Sequence, residues 1–237
     1  MTSLRSLFAD LAELFKSKLA LYLLMAALLQ IAYWYLGSPG PQLLRDTPRT
    51  LPTALFNIGT ALLFLLVLPA SLTVGLGDSL RRVGFGLGNW RFGVSVTLVA
   101  SLVAVVIMAL GSTDPSLQLT YPWAGEWVGA SPFNLLFWIF LYGLYYVSFE
   151  FFYRGFMLRV IEPVWGLSAA IWTQALASTL VHLGKPPAET FAALPAGLLF
   201  AVLAVRGKSL LYPIILHLVI GLSVDVFVLA RQGLLFP

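Results

Sequence analysis

Residues 149–155 read Phe149-Glu150-Phe151-Phe152-Tyr153-Arg154-Gly155, an acid and a base set in an apolar run that begins near Phe133. An ionised side chain at bilayer depth costs about 3 kcal/mol on insertion scales, so it needs a partner. Arg154 lies four residues after Glu150. A helix places both on one face, with the acid N-terminal to the base, which is the favourable order. Such a pair marks either a functional site or a helix-packing contact that does no chemistry.

The run also sets the fold class. The chain has 237 residues, 59% hydrophobic and 10% charged, where soluble domains carry about 25% charged residues. An all-α, polytopic transmembrane helix bundle is expected, forming one integral membrane domain over 1–237. Seven apolar spans lie near 19–36, 52–75, 93–111, 133–160, 167–184, 188–205 and 209–230. Most reach the roughly 20 residues that a bilayer crossing needs. Segment 37–50 reads as a loop from its proline and glycine content. Segment 76–92, with Arg81, Arg82 and Arg91 among glycines, reads as a connecting loop or a surface helix. Segment 112–131 has no Lys or Arg and holds Tyr121, Trp123 and Trp127, the pattern of an outer face with interfacial aromatics. With the N-terminus inside, ten Lys and Arg fall on the cytoplasmic side and four on the other, which sets the orientation as N-inside, C-outside.

Nothing in residues 1–18 reads as a cleavable signal peptide. Leu4, Leu7, Phe8, Leu11, Leu14 and Phe15 follow helical spacing, so this stretch is either an interfacial amphipathic helix or the polar start of the first span. The chain has no cysteine, which excludes a disulfide framework and thiolate chemistry. Its 14 basic residues are scattered between spans and form no basic face, so nucleic acid is not an expected partner. The lipid bilayer is.

Two histidines, His182 and His217, are the only ones in the chain, and both fall in apolar spans. Pro163, Trp165 and Gly166 mark a turn between spans four and five. At 1.5 Å per residue, Glu150 lies roughly 20 Å above that turn and His182 roughly 24 Å. His217 and Asp225 lie roughly 14 and 26 Å up span seven from Lys208 by the same rise. A Glu and two His at similar depth have the groups that peptide hydrolysis requires, a base for water and a donor for the tetrahedral oxygen. Hydrogen bonding between helices is the competing explanation for either histidine alone. No H-E-x-x-H is present, and no cofactor is expected; a divalent ion held by Glu150, His182 and His217 is the alternative. His182 is followed by Lys185-Pro186-Pro187-Ala188-Glu189. This is either a charged lip over the site or a solvated turn whose Glu caps the next helix. Pro213, four residues before His217, removes a helical hydrogen bond and opens a kink.

From about Phe133 to Val228 the sequence resembles the CPBP family, the CAAX-protease and bacteriocin-processing (Abi) membrane proteins. The matching pieces are FEFFYRG, then STLVH, then HLVIG, with the run from Gly207 to Ile214 before the last. The resemblance implies a glutamate-type intramembrane endopeptidase in the cell (inner) membrane of a bacterium or archaeon. Its implied substrate is a membrane-associated peptide or protein, lipidated or not. Residue by residue, Glu150 matches the second motif acid, Arg154 the motif arginine, His182 the first histidine and His217 the last. Two positions depart from the pattern. Phe149 stands where the first motif acid is expected, and Gly221 where Asn or Asp is expected. His182, Lys185, Pro186 and Glu189 also fit a His-x-x-Lys-Pro-x-x-Glu run of a bacterial branch.

The expected site is therefore Glu150 as base, Arg154 holding it, His182 positioning water and His217 at the oxyanion. Glu189, Asp225 and Lys185 are secondary candidates, and the catalytic-like core spans approximately 133–230. A catalytically inactive relative that binds a peptide or partner helix as scaffold, chaperone or immunity protein is the runner-up. A transporter is ranked last, because no internal repeat is present.

Overall fold

The computed structural model describes residues 4–37, 48–80 and 84–237. Every regular element among them is helical. Arg45, Arg81, Arg82 and most of the 37–50 loop lie outside the described residues. Helix α1 (Leu4–Leu14) is separate from the first span and leaves Leu4, Leu7, Phe8 and Leu11 exposed. Of the two readings for this stretch, the structure therefore has the amphipathic helix. Ser17 then accepts from Ala20 N at 3.0 Å and caps the start of α2 (Lys18–Gly37). The remaining long helices are α3 (Leu51–Gly75), α4 (Trp90–Gly111) and a 49-residue segment, Pro132–Leu180. Two more follow, Pro187–Gly207 and Leu211–Arg231. Segment 112–131 adds a short helix, α5 (Pro115–Thr120), and the described part of segment 76–89 is loop and turn apart from Leu80, which is in 3₁₀ conformation.

Among the described residues, six long apolar segments stand where seven spans were expected. The difference lies in Pro132–Leu180, which is two helices joined at Gly166. That residue has φ 81° and ψ 164°, a conformation open to glycine and costly for any residue with a Cβ. The two arms, α6 (132–165) and α7 (167–180), fold back on each other. The Phe149 and His182 rings lie 5.9 Å apart, whereas an unbroken helix would separate them by roughly 50 Å. Helices α8 (Pro187–Gly207) and α9 (Leu211–Arg231) complete the bundle.

The loops sort onto two faces. On one, Lys18 Nζ pairs with Asp78 at 2.8 Å, Asn89 N donates to Gly207 O at 2.8 Å, and Leu210 N donates to Gly84 O at 2.7 Å. On the other, Arg49 Nη1 donates to Gln118 O and Tyr121 O, both at 2.9 Å. There, too, Phe236 N donates to Gly129 O at 2.8 Å and Arg231 Nε to Ser112 Oγ at 2.7 Å. Lys185 and Glu189 join this second face through Tyr121. Helix α6 thus starts at the face where α7 ends, as a hairpin requires.

The α6–α7 segment is the most buried of the long segments and α4 the least. Along α6 the rings of Trp138, Tyr142, Tyr145, Tyr146, Phe149 and Phe152 are all buried. They form the aromatic centre against which the other helices pack.

Candidate active site

Helix α6 changes pitch where the motif begins. Residues Pro132–Glu150 are α-helical, and Phe151–Met157 form a π-helical stretch that is buried throughout. Short π segments occur often at functional sites, because the wider turn re-aims side chains. Glu150 is the last residue before it and Arg154 lies inside it. Arg154 Nη1 donates to Glu150 Oε1 at 3.1 Å, with the two side chains 2% and 0% exposed. The guanidinium also reaches Gly197 O on α8 at 3.4 Å and packs over the Phe200, Tyr153 and Phe149 rings. A charge this deep is tolerable only with such compensation.

His217, from α9, meets the same carboxylate oxygen. Its Nδ1 lies 2.7 Å from Glu150 Oε1. A carboxylate only accepts, so Nδ1 carries the proton and Nε2 is left unbonded by this contact. Glu150 Oε2 is buried without a hydrogen-bond partner. The His217 ring is boxed by Tyr146 at 4.3 Å, Phe200 at 5.0 Å and Phe149 at 5.2 Å between centroids.

His182 belongs to a second cluster. It sits just past the end of α7, where its Nδ1 donates to Ser178 O at 2.7 Å. That fixes the tautomer and turns Nε2 toward Glu189 Oε1, which lies 3.9 Å away, beyond direct hydrogen bonding. Glu189 is held by Lys185 Nζ at 2.9 Å and by the Tyr121 hydroxyl, which is 2.8 Å from each carboxylate oxygen. Lys185 also lies 5.1 Å over the Trp123 ring. Lys185 and Glu189 are thus largely buried against His182 and Tyr121, with Glu189 in the first turn of α8. Burial, with the Glu189 carboxylate beside it, pushes the Tyr121 hydroxyl well above the usual phenol range, so it stays a donor.

By direct contacts the predicted residues fall into two sets. Glu150, Arg154 and His217 form one set, and His182, Lys185 and Glu189 another. The Phe149 ring lies between the two histidines, edge-on to both. Asp225 stands apart, two turns beyond His217 on α9. Its Oδ2 accepts from Trp138 Nε1 at 2.7 Å and its Oδ1 has no partner. Among the described residues, no three His, Asp or Glu side chains are grouped to hold a metal ion. The Arg154 cation beside Glu150 also makes that carboxylate a poor metal ligand.

Tyr121, Tyr142 and Tyr146 were not anticipated. The last two had a signal: Trp138, Tyr142, Tyr146, Glu150 and Arg154 recur at four-residue intervals, one line along a helix. Tyr121 is 68 residues from Glu189, and no local pattern links them. A cavity of about 300 Å³ opens beside the second cluster, lined by Gln30, Ile31, Trp34, Tyr35, Leu180, Val181 and Leu183.

Residues 131–223 match the family model described as type II CAAX prenyl endopeptidase Rce1-like. Neither a curated protein nor a solved structure matches the chain. The matched stretch runs from the start of α6 through the first half of α9, and contains Glu150, Arg154, His182 and His217. Over residues 131–223, less than half of the chain, this integral membrane protein with its long apolar helices is thus similar to the CAAX-protease-like proteins.

Proposed function

We propose that this protein is an intramembrane endopeptidase of the CAAX-protease-like type, acting on a membrane-associated peptide or protein. The observation that carries the reading is the 2.7 Å contact between His217 Nδ1 and Glu150 Oε1, with Arg154 fixing the same oxygen. A carboxylate that sets a histidine's tautomer leaves Nε2 as the base, the logic of nucleophile-activating pairs. This assigns roles differently from the sequence expectation. Glu150 is fully buried and doubly bonded at Oε1, so it orients the base, and His217, at 15% exposure, takes the proton.

In the step, a water oxygen adds to the scissile carbonyl carbon and its proton passes to His217 Nε2. The carbonyl electron pair moves to oxygen. Collapse re-forms the carbonyl, breaks the C–N bond and returns the proton to the leaving amine. Glu150 stabilises the imidazolium throughout. His182, Lys185 and Glu189 flank the peptide on the far side of Phe149. Both histidines become reachable by one substrate when the Phe149 ring swings aside.

The test is cleavage of a quenched fluorescent peptide ending in a farnesylated CAAX sequence, and of the same peptide without the lipid, by protein in nanodiscs. Glu150→Gln and His217→Ala are each expected to lower kcat by about 10³–10⁴-fold, by analogy with orienting acids in triads. His182→Ala is expected to raise KM more than it lowers kcat. Undiminished cleavage by all three variants removes the reading.

A second reading is a catalytically inactive CPBP-like protein that binds a peptide or partner helix. Phe149 between the histidines and the complete burial of Glu150 favour it. A silent wild type that gains cleavage on Phe149→Glu would decide for this reading.

A further inference from the structure

Peptide hydrolysis develops negative charge on the carbonyl oxygen, and a preorganised donor there is worth more than any other single group. Arg154 lies on one side of Glu150, holding it. The other side, one turn toward the N-terminus of α6, is Tyr146. Its ring lies against that of His217, at 4.3 Å between centroids. Its hydroxyl reaches across to α9 and rests on Gly221, one turn beyond His217. A Cβ built on Gly221 would lie 2.0 Å from the Tyr146 hydroxyl and 2.8 Å from its Cζ. The phenol therefore fills the space that a side chain at 221 would take, and it does so because residue 221 is glycine.

We propose that the Tyr146 hydroxyl, seated on Gly221, donates the hydrogen bond that stabilises the carbonyl oxygen during hydrolysis at Glu150–His217. This rests on the endopeptidase reading given above. The tyrosine keeps its proton and changes no covalent bond. Its O–H points at the oxygen as the C=O pair moves there, and is released when the carbonyl re-forms. Tyr142, one turn further along α6, packs against the phenol and also borders Gly221. The Tyr142 and Tyr146 rings are 4.6 Å apart.

The experiment uses the same two peptides and the full chain in nanodiscs. Tyr146→Phe keeps the ring and removes the donor. It is expected to lower kcat about 100-fold, the usual loss of one such donor, with KM changed less than twofold. Gly221→Ala keeps the hydroxyl but drives it off its seat, and is expected to lower kcat comparably. Both variants should keep the wild-type elution profile in detergent, and Gly221→Ala provides the result should Tyr146→Phe misfold. A kcat for either variant within threefold of wild type overturns the assignment while leaving the endopeptidase reading intact. A wild type that cleaves neither peptide removes that reading and this role with it.

Discussion

Arg154 and Glu150 show how an ion pair survives where water is absent. Each is almost completely buried, and neither is fully satisfied: Arg154 Nε and Glu150 Oε2 both lack partners. The pair therefore contributes little net stability, while breaking it is expensive, because an unpaired charge is left in a low dielectric. Arg154→Leu is expected to cost about 3–5 kcal/mol, and the double change Glu150→Leu with Arg154→Leu much less. Thermal unfolding in micelles measures both, and equal losses for single and double variants would refute the compensation. Tyr121→Phe is a milder probe. It removes a donor shared by both oxygens of Glu189, a loss of about 1.5–3 kcal/mol for a hydrogen bond to a charged group. It frees Lys185 and Glu189 without touching Glu150, so cleavage should change through KM. The Glu150–Arg154 contact was readable in advance, because four-residue spacing is a local property of helices. The Tyr121–Glu189 contact was not, because it joins the end of α5 to the first turn of α8 across the folded bundle.

Helix α8 is positioned by small residues rather than by charges. A Cβ on Gly197 would meet Ser178 Oγ at 3.1 Å and the Ala175 Cα and Cβ at 3.4 Å. The α7 and α8 backbones are therefore in close contact, as small residues allow between membrane helices. The same approach brings the Gly197 carbonyl to Arg154 Nη2 and to Gln174 Nε2, at 3.4 and 3.3 Å. Gly197→Val should push the helices apart and cost about 1–3 kcal/mol by overpacking, with loss of cleavage following loss of the Arg154 anchor. A Gly197→Val protein with unchanged unfolding temperature would contradict this account. The helices themselves were readable from apolar run length. The break at Gly166 was readable too, from the turn marked by Pro163, Trp165 and Gly166, whereas the π-helical turn after Glu150 depends on backbone choices that hydropathy does not encode. The four-residue line from Trp138 to Arg154 was present in the sequence but is hidden among apolar neighbours, since aromatic rings serve equally as core.

The two-face sorting of the loops makes a claim about the molecule in its membrane. If Pro132–Leu180 crossed once, Leu183 would lie on the same side as Leu87, and the C-terminus on the side of Lys18. With the reversal at Gly166, Leu183 lies with Leu119 instead. The absence of cysteine makes this directly measurable with single reporters. Leu87, Leu119, Val164 and Leu183 are all exposed, so replacing each by Cys should cost little stability. An impermeant thiol reagent added from outside is expected to label Leu119→Cys and Leu183→Cys, while Leu87→Cys and Val164→Cys react only after permeabilisation. The assignment of outside follows from the excess of basic residues on the N-terminal face. Labelling of Leu183→Cys from the same side as Leu87→Cys, opposite to Leu119→Cys, would refute the hairpin. An inverted pattern would keep the hairpin and overturn the orientation alone. The outcome bears on chemistry as well, because the second cluster, with His182, Lys185 and Glu189, packs against the 112–131 segment. On the proposed endopeptidase activity, a peptide entering beside His182 comes from the face opposite the N-terminus, and the segment cut must reach that side of the bilayer.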